Sequence, residues 1–145
     1  MEEREVTLAL RDFLLNRGWQ ILGIHFPGAQ GGLSISINGK SRGWVPDLIA
    51  MKNRALIVVE CKPKYLSADV NKLNIMFSNP KFFKKFKQKL GLSGDFIFQK
   101  AIGFHASYFY RENIPRDFII FLVKDRSNIE VLFGDQIDST IRENL

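Results

Sequence analysis

The sequence predicts an α/β fold, a mixed β-sheet flanked by helices on both faces. Two observations predict it. Stretches with apolar residues at helical spacing alternate with short runs of strand length, in the order helix, strands, helices, strands, helix. Residues 56–59 and 118–123 are apolar throughout, as expected of strands covered on both sides.

Each element has its own signal. Residues 2–17 read as a helix, with Val6, Ala9, Leu10, Phe13 and Leu14 on one face and Gly18 as its stop. Residues 19–26 make a strand and residues 27–32 a loop of turn formers. A cleanly alternating strand follows over 33–37, closed by Asn38-Gly39. Residues 48–50 and 56–59 pair as a hairpin around Lys52-Asn53-Arg54, and Pro63 ends the second strand. Ser67 caps a helix with Val70, Leu73 and Phe77 on one face, which returns over the sheet in a right-handed crossover. Ser78-Asn79-Pro80 starts another helix, with Phe82, Phe83, Phe86 and Leu90 as its inner stripe and Lys81, Lys84, Lys85, Lys87 and Lys89 as its outer face. Residues 96–98 and 101–104 read either as one interrupted strand or as a strand after a turn. The aromatics of 105–110 read as core. A buried strand over 118–123, a turn at 125–128, a strand over 129–133 and a short helix after Asp135 complete the order.

Composition bounds the function classes. At 145 residues, 46% hydrophobic and 25% charged, the chain reads as one globular domain spanning 1–145. The lone Cys61 excludes an intramolecular disulfide, and no CxxC zinc spacing is present. No apolar run reaches about 18 residues and the first residues are acidic, so the expectation is a soluble, cytoplasmic protein with no membrane segment. Residues 52–100 hold eleven Lys and Arg against Glu60, Asp69 and Asp95, a balance of +8 that leaves −2 for the rest of the +6 chain. That asymmetry points to a polyanionic partner.

One stretch carries the chemistry. Glu60 and Lys62 end an apolar strand, and the period of two sends them to the same side. The hairpin brings Asp47 beside Glu60 on the neighbouring strand. Two nearby carboxylates repel unless a hard cation lies between them, and Mg²⁺ is typically held by one or two carboxylates with waters and phosphate oxygens. A lysine at that spot can orient water or stabilise a phosphorane-like charge.

The pair Pro46-Asp47 and the run Glu60-Cys61-Lys62, with Gly43 before and Pro63, Leu66 and Ser67 beyond, resemble the PD-(D/E)XK nucleases, the restriction-endonuclease-like superfamily. The pattern is closest to the small virus-type replication-repair nucleases and, more loosely, the Holliday-junction resolvases, and it covers roughly residues 1 to 77. The resemblance implies a restriction-endonuclease-like sheet and a Mg²⁺-dependent endonuclease, with Mn²⁺ able to substitute, hydrolysing phosphodiester bonds in DNA, with RNA still open. It implies Asp47, Glu60 and the Cys61 carbonyl as metal ligands and Lys62 as the residue that positions or activates the attacking water. It also implies an acidic residue on the first helix reaching the metal. Glu2, Glu3 and Glu5 are the candidates, and Glu3 is preferred because it shares the buried face with Val6, Leu10 and Leu14. Related nucleases often carry a Gln or Lys on the helix after the ExK strand; Asn71 and Lys72 stand here, with no role assigned.

Lys40 and Arg42 are expected to contact phosphate from a loop, and the face formed by Lys81, Lys84, Lys85, Lys87 and Lys89 to track the nucleic-acid backbone. A homodimer or a partner subunit would supply target recognition in so short a chain. The competing expectation is a catalytically idle nucleic-acid-binding or assembly subunit on the same fold.

Overall fold

A computed structural model describes residues 1–25, 46–65, 67–109 and 115–145. The expected strand over 33–37, the Asn38-Gly39 turn, and the loop residues Lys40 and Arg42 lie outside the described residues. The described chain builds one six-stranded sheet whose strands neighbour one another in sequence order. These are β1 (Gln20–Ile24), β2 (Leu48–Lys52), β3 (Ala55–Cys61), β4 (Ile97–His105), β5 (Phe118–Asp125) and β6 (Asn128–Phe133). β1, β2 and β3 run antiparallel, β3, β4 and β5 parallel, and β6 returns antiparallel along β5. The mixed sheet and its flanking helices agree with the fold class predicted from the sequence.

The period of two divides the core into two layers. Ala55, Ile57, Val59 and Cys61 of β3 face α1 (Glu3–Asn16), joined by Ile119, Phe121 and Val123 of β5 and by Ile141 of α4 (Ser139–Glu143). Leu56 and Val58 face the other way, with Ile102 and Phe104 of β4, onto α2 (Ser67–Phe77) and α3 (Pro80–Lys89). Every residue of β3 is buried. At roughly 1.5–3 kcal/mol for each large apolar side chain fully buried, these two layers are the main favourable term.

Local chemistry sets the ends. α1 closes at Gly18, whose φ of +84° is the left-handed conformation glycine adopts freely. The β2–β3 hairpin turns at Asn53, with φ of 54°, a conformation Asn tolerates better than most residues. Asn79 caps α3, its side-chain oxygen accepting from the amides of Lys81 (3.0 Å) and Phe82 (3.4 Å). Ser67 is the first helical residue of α2 rather than its cap.

Three details bear on the expectations. The link between parallel β3 and β4 carries α2 and then α3, the two helices expected between these strands. β4 is one uninterrupted strand of nine residues. Tyr108, in the 3-10 turn Ala106–Tyr108, is 47% exposed and so is not core, because that turn lifts it off the end of β4.

α1 sits unusually close to the sheet. It lies over Gly103 of β4, where a Cβ would collide with the buried Leu10 side chain. Only a glycine lets the helix approach this far. Among the described residues no helix is long and apolar enough to cross a membrane.

Candidate functional site

The site begins where β3 and β4 end together. Cys61 pairs with Gly103, and the next amide, Lys62 N–H, donates to the Gly103 carbonyl (2.9 Å). The carboxyl ends of parallel strands are the usual place for chemistry in open α/β sheets. Pairing of Leu48 with Val59 places Asp47, one residue before β2, opposite Glu60. Its Oδ2 accepts a hydrogen bond from the Cys61 amide (2.8 Å). Asp47 is 6% and Glu60 2% exposed. Two carboxylates this deep and this close need a positive partner, because burying charge without one is costly.

Lys62 is a cation within electrostatic reach of both. Its Nζ lies 3.6 Å from Glu3 Oε1, at the first residue of α1. Glu2 and Glu5 are exposed, so Glu3 is the first-helix acid that the fold turns inward. Burial by itself would depress the Lys62 pKa, but the charges of Glu3, Asp69, Asp47 and Glu60 outweigh it and hold the ammonium above the usual lysine value. Burial, and then the charge of Asp47, push the Glu3 carboxyl upward, while Lys62 opposes them.

Asp69 completes this group, and nothing in the motif singled it out. It lies in the first turn of α2 and is only 7% exposed. Burial raises its pKa, Lys62 and Lys72 counter that, and the charge of Asp47 adds to it. The signal was its spacing: Asp69 precedes Leu73 by four residues and Met76 by seven, which puts it on the buried face of the helix.

Cys61 offers no thiolate chemistry. It is wholly buried, and burial followed by the Asp47 charge pushes the thiol well above its ordinary pKa. The contact it makes with Asp47 runs through its backbone amide. His25 contributes a backbone contact, its amide donating to the Asp47 carbonyl (2.9 Å).

The lysines of α3 form a separate surface. Lys81, Lys84, Lys85 and Lys89 are exposed and Lys87 is half-buried, with its Nζ 5.3 Å from the Phe83 ring centroid. Phe82 and Phe86 point inward. Among the described residues none of these lysines forms an ion pair with an acidic side chain.

The donor set fits a hard cation of the Mg²⁺ kind. Asp47 and Glu60 supply oxygen on neighbouring strands, and one oxygen of Asp69, Oδ2, is buried with no hydrogen-bond partner among the described residues. Among those residues no three His, Cys, Asp or Glu side chains are grouped to hold one ion by themselves. An ion held by one or two carboxylates and completed by water is compatible with that arrangement. Comparison with known proteins returned no match to a family model, to a curated protein or to a solved structure.

Proposed function

We propose that this chain is a metal-dependent endonuclease that hydrolyses phosphodiester bonds in DNA, a member of the PD-(D/E)XK nucleases it resembles. One observation carries the reading. Asp47 and Glu60 lie buried opposite one another on paired strands, and Lys62, two residues after Glu60, is ion-paired with Glu3 where the parallel strands end. Two buried carboxylates on paired strands are the kind of donor set that a largely hydrated divalent cation uses.

In this reading Asp47, Glu60 and the Cys61 carbonyl hold Mg²⁺ or Mn²⁺. The ion, when bound, neutralises charge developing on the phosphate and lowers the pKa of water. Glu3 reaches the same spot from α1 and orients the attacking water. Water adds its oxygen to phosphorus, one ester P–O bond breaks, and the leaving sugar oxygen takes up a proton. Lys62, kept as an ammonium by its neighbours, serves as a hydrogen-bond donor and fixed positive charge and not as the base. Lys81, Lys84, Lys85, Lys87 and Lys89 hold the backbone away from the chemistry. Lys40 and Arg42 would add phosphate contacts.

The test is cleavage of plasmid, single-stranded, branched and RNA substrates with Mg²⁺ or Mn²⁺, for the wild type, Asp47→Ala and Lys62→Ala. The expected result is metal-dependent cutting of DNA that falls at least about 100-fold in each variant, the scale of losing a principal electrostatic group. Lys62→Ala should leave DNA affinity nearly unchanged. Cutting that survives either substitution would overturn the assignment.

A second reading has an observation in its favour. The ion pair of Lys62 with Glu3, and the lack of a three-carboxylate group among the described residues, also suit an idle binding or assembly subunit that works with a partner. Calorimetry separates the two, since that subunit would take up no divalent ion.

A further inference from the structure

We infer that Asp69 is a positioning residue of this site, its Oδ2 accepting a hydrogen bond from water in the hydration shell of the cation held by Asp47 and Glu60. The inference rests on the nuclease reading above.

An acid in the first turn of a helix ordinarily answers the helix dipole from the surface. Asp69 does not. It is more than nine-tenths buried, on the same face as Val70, Leu73 and Met76. Its Oδ2 has no hydrogen-bond partner among the described residues and is the only such buried side-chain atom there. Native folds rarely leave a buried acceptor unmet, and each case asks for a cause.

The neighbours indicate the cause. α2 follows directly after the ExK strand, and Asp69 in its first turn lies within electrostatic reach of Lys62 and Asp47. The Lys62 ammonium makes its ion pair with Glu3 instead. We place Asp69 outside the direct ligands, in keeping with the lack of any three such side chains grouped around one point among the described residues. A Mg²⁺ ion held by two carboxylates keeps several waters, and each has protons that need acceptors. An ionised carboxylate oxygen is acceptor-only, which suits that need. Outer acceptors of this kind orient a metal site and typically change its affinity 10- to 100-fold.

The experiment is isothermal titration of the full chain with MgCl₂ and with MnCl₂, for the wild type, Asp69→Asn, Asp69→Ala and Asp47→Ala, with melting curves of each variant without metal. The expected result is one ion per chain in the wild type and in both Asp69 variants. Affinity should drop roughly 10- to 100-fold in Asp69→Ala and less in Asp69→Asn, which keeps one acceptor. Neither Asp69 variant should melt below the wild type. Wild-type affinity in both Asp69 variants, with binding lost in Asp47→Ala, would overturn this inference and leave the nuclease reading standing. Weaker binding that comes with a lowered melting temperature in Asp69→Asn would assign Asp69 a structural role and also overturn it. No binding by the wild type would remove the nuclease reading and the inference with it.

Discussion

Asp69 and Glu3 are both held above their ordinary pKa, first by burial and then by like charge, so ionising them works against the fold. The sign follows from linkage. A group with a raised folded pKa contributes stability that is complete below its unfolded value, 3.8 for Asp69, and is lost as pH rises through the folded value. Asp69→Asn removes that penalty. Its melting temperature should therefore exceed the wild type's at pH 7, and the gap should close as the buffer is taken down through the acid range. A gap that widened in acid would show Asp69 to be a stabilising anion. Asp47, Glu60 and Lys62 were legible in the sequence because a period of two and a tight hairpin leave little freedom in where they point. Asp69 was not. An acid three residues into a helix has a surface explanation ready, and only its spacing to Leu73 and Met76 argued for burial.

At the scale of elements, β4 shows where sequence reading stops. Gln99-Lys100 interrupts an apolar run, so the stretch reads equally as one strand or two. The structure keeps it continuous because both polar side chains are satisfied in place. Gln99 Nε2 donates to the carbonyls of Lys100 and Asp117, each at 2.8 Å, and Lys100 Nζ meets Asp117 Oδ2 at 2.6 Å and Asn74 of α2. α3, by contrast, was legible in its start, since Ser78-Asn79-Pro80 marks where it begins and the lysine-phenylalanine alternation its inner face. Its charged face carries a prediction. Replacing Lys84, Lys85 and Lys89 together by Gln should weaken DNA binding without sequence preference. Plotted as log affinity against log salt, the slope should become shallower by about 0.9 for each phosphate that the protein no longer neutralises. An unchanged slope would show that α3 does not touch the backbone.

For the molecule as a whole, charge and chemistry are divided. Most of the +8 balance of residues 52–100 comes from the five lysines of α3 and from Lys52, Arg54, Lys62 and Lys64 around β3, while Glu3 arrives on α1 from the opposite face of the sheet. A polyanion drawn to the basic side would meet the carboxylates at the strand ends, where repulsion between them and phosphate must be offset before binding is productive. The site therefore joins elements from both layers, and its alignment depends on Gly103 letting α1 settle against the sheet.

The bond between Asp47 Oδ2 and the Cys61 amide bears on how an inactive version of this protein should be made. That carboxylate is also a clasp between the ends of two strands. Truncating it to alanine leaves a buried N–H without its acceptor, a defect of about 1–3 kcal/mol. For a chain of this size that is several degrees of melting temperature, at roughly 2–4 °C per kcal/mol. Asp47→Asn keeps an oxygen for the clasp while discarding the charge, so it should melt near the wild type and above Asp47→Ala. On the proposed nuclease reading, a substrate-trapping form is therefore better built on asparagine, and equal melting of the two variants would show that the clasp holds nothing.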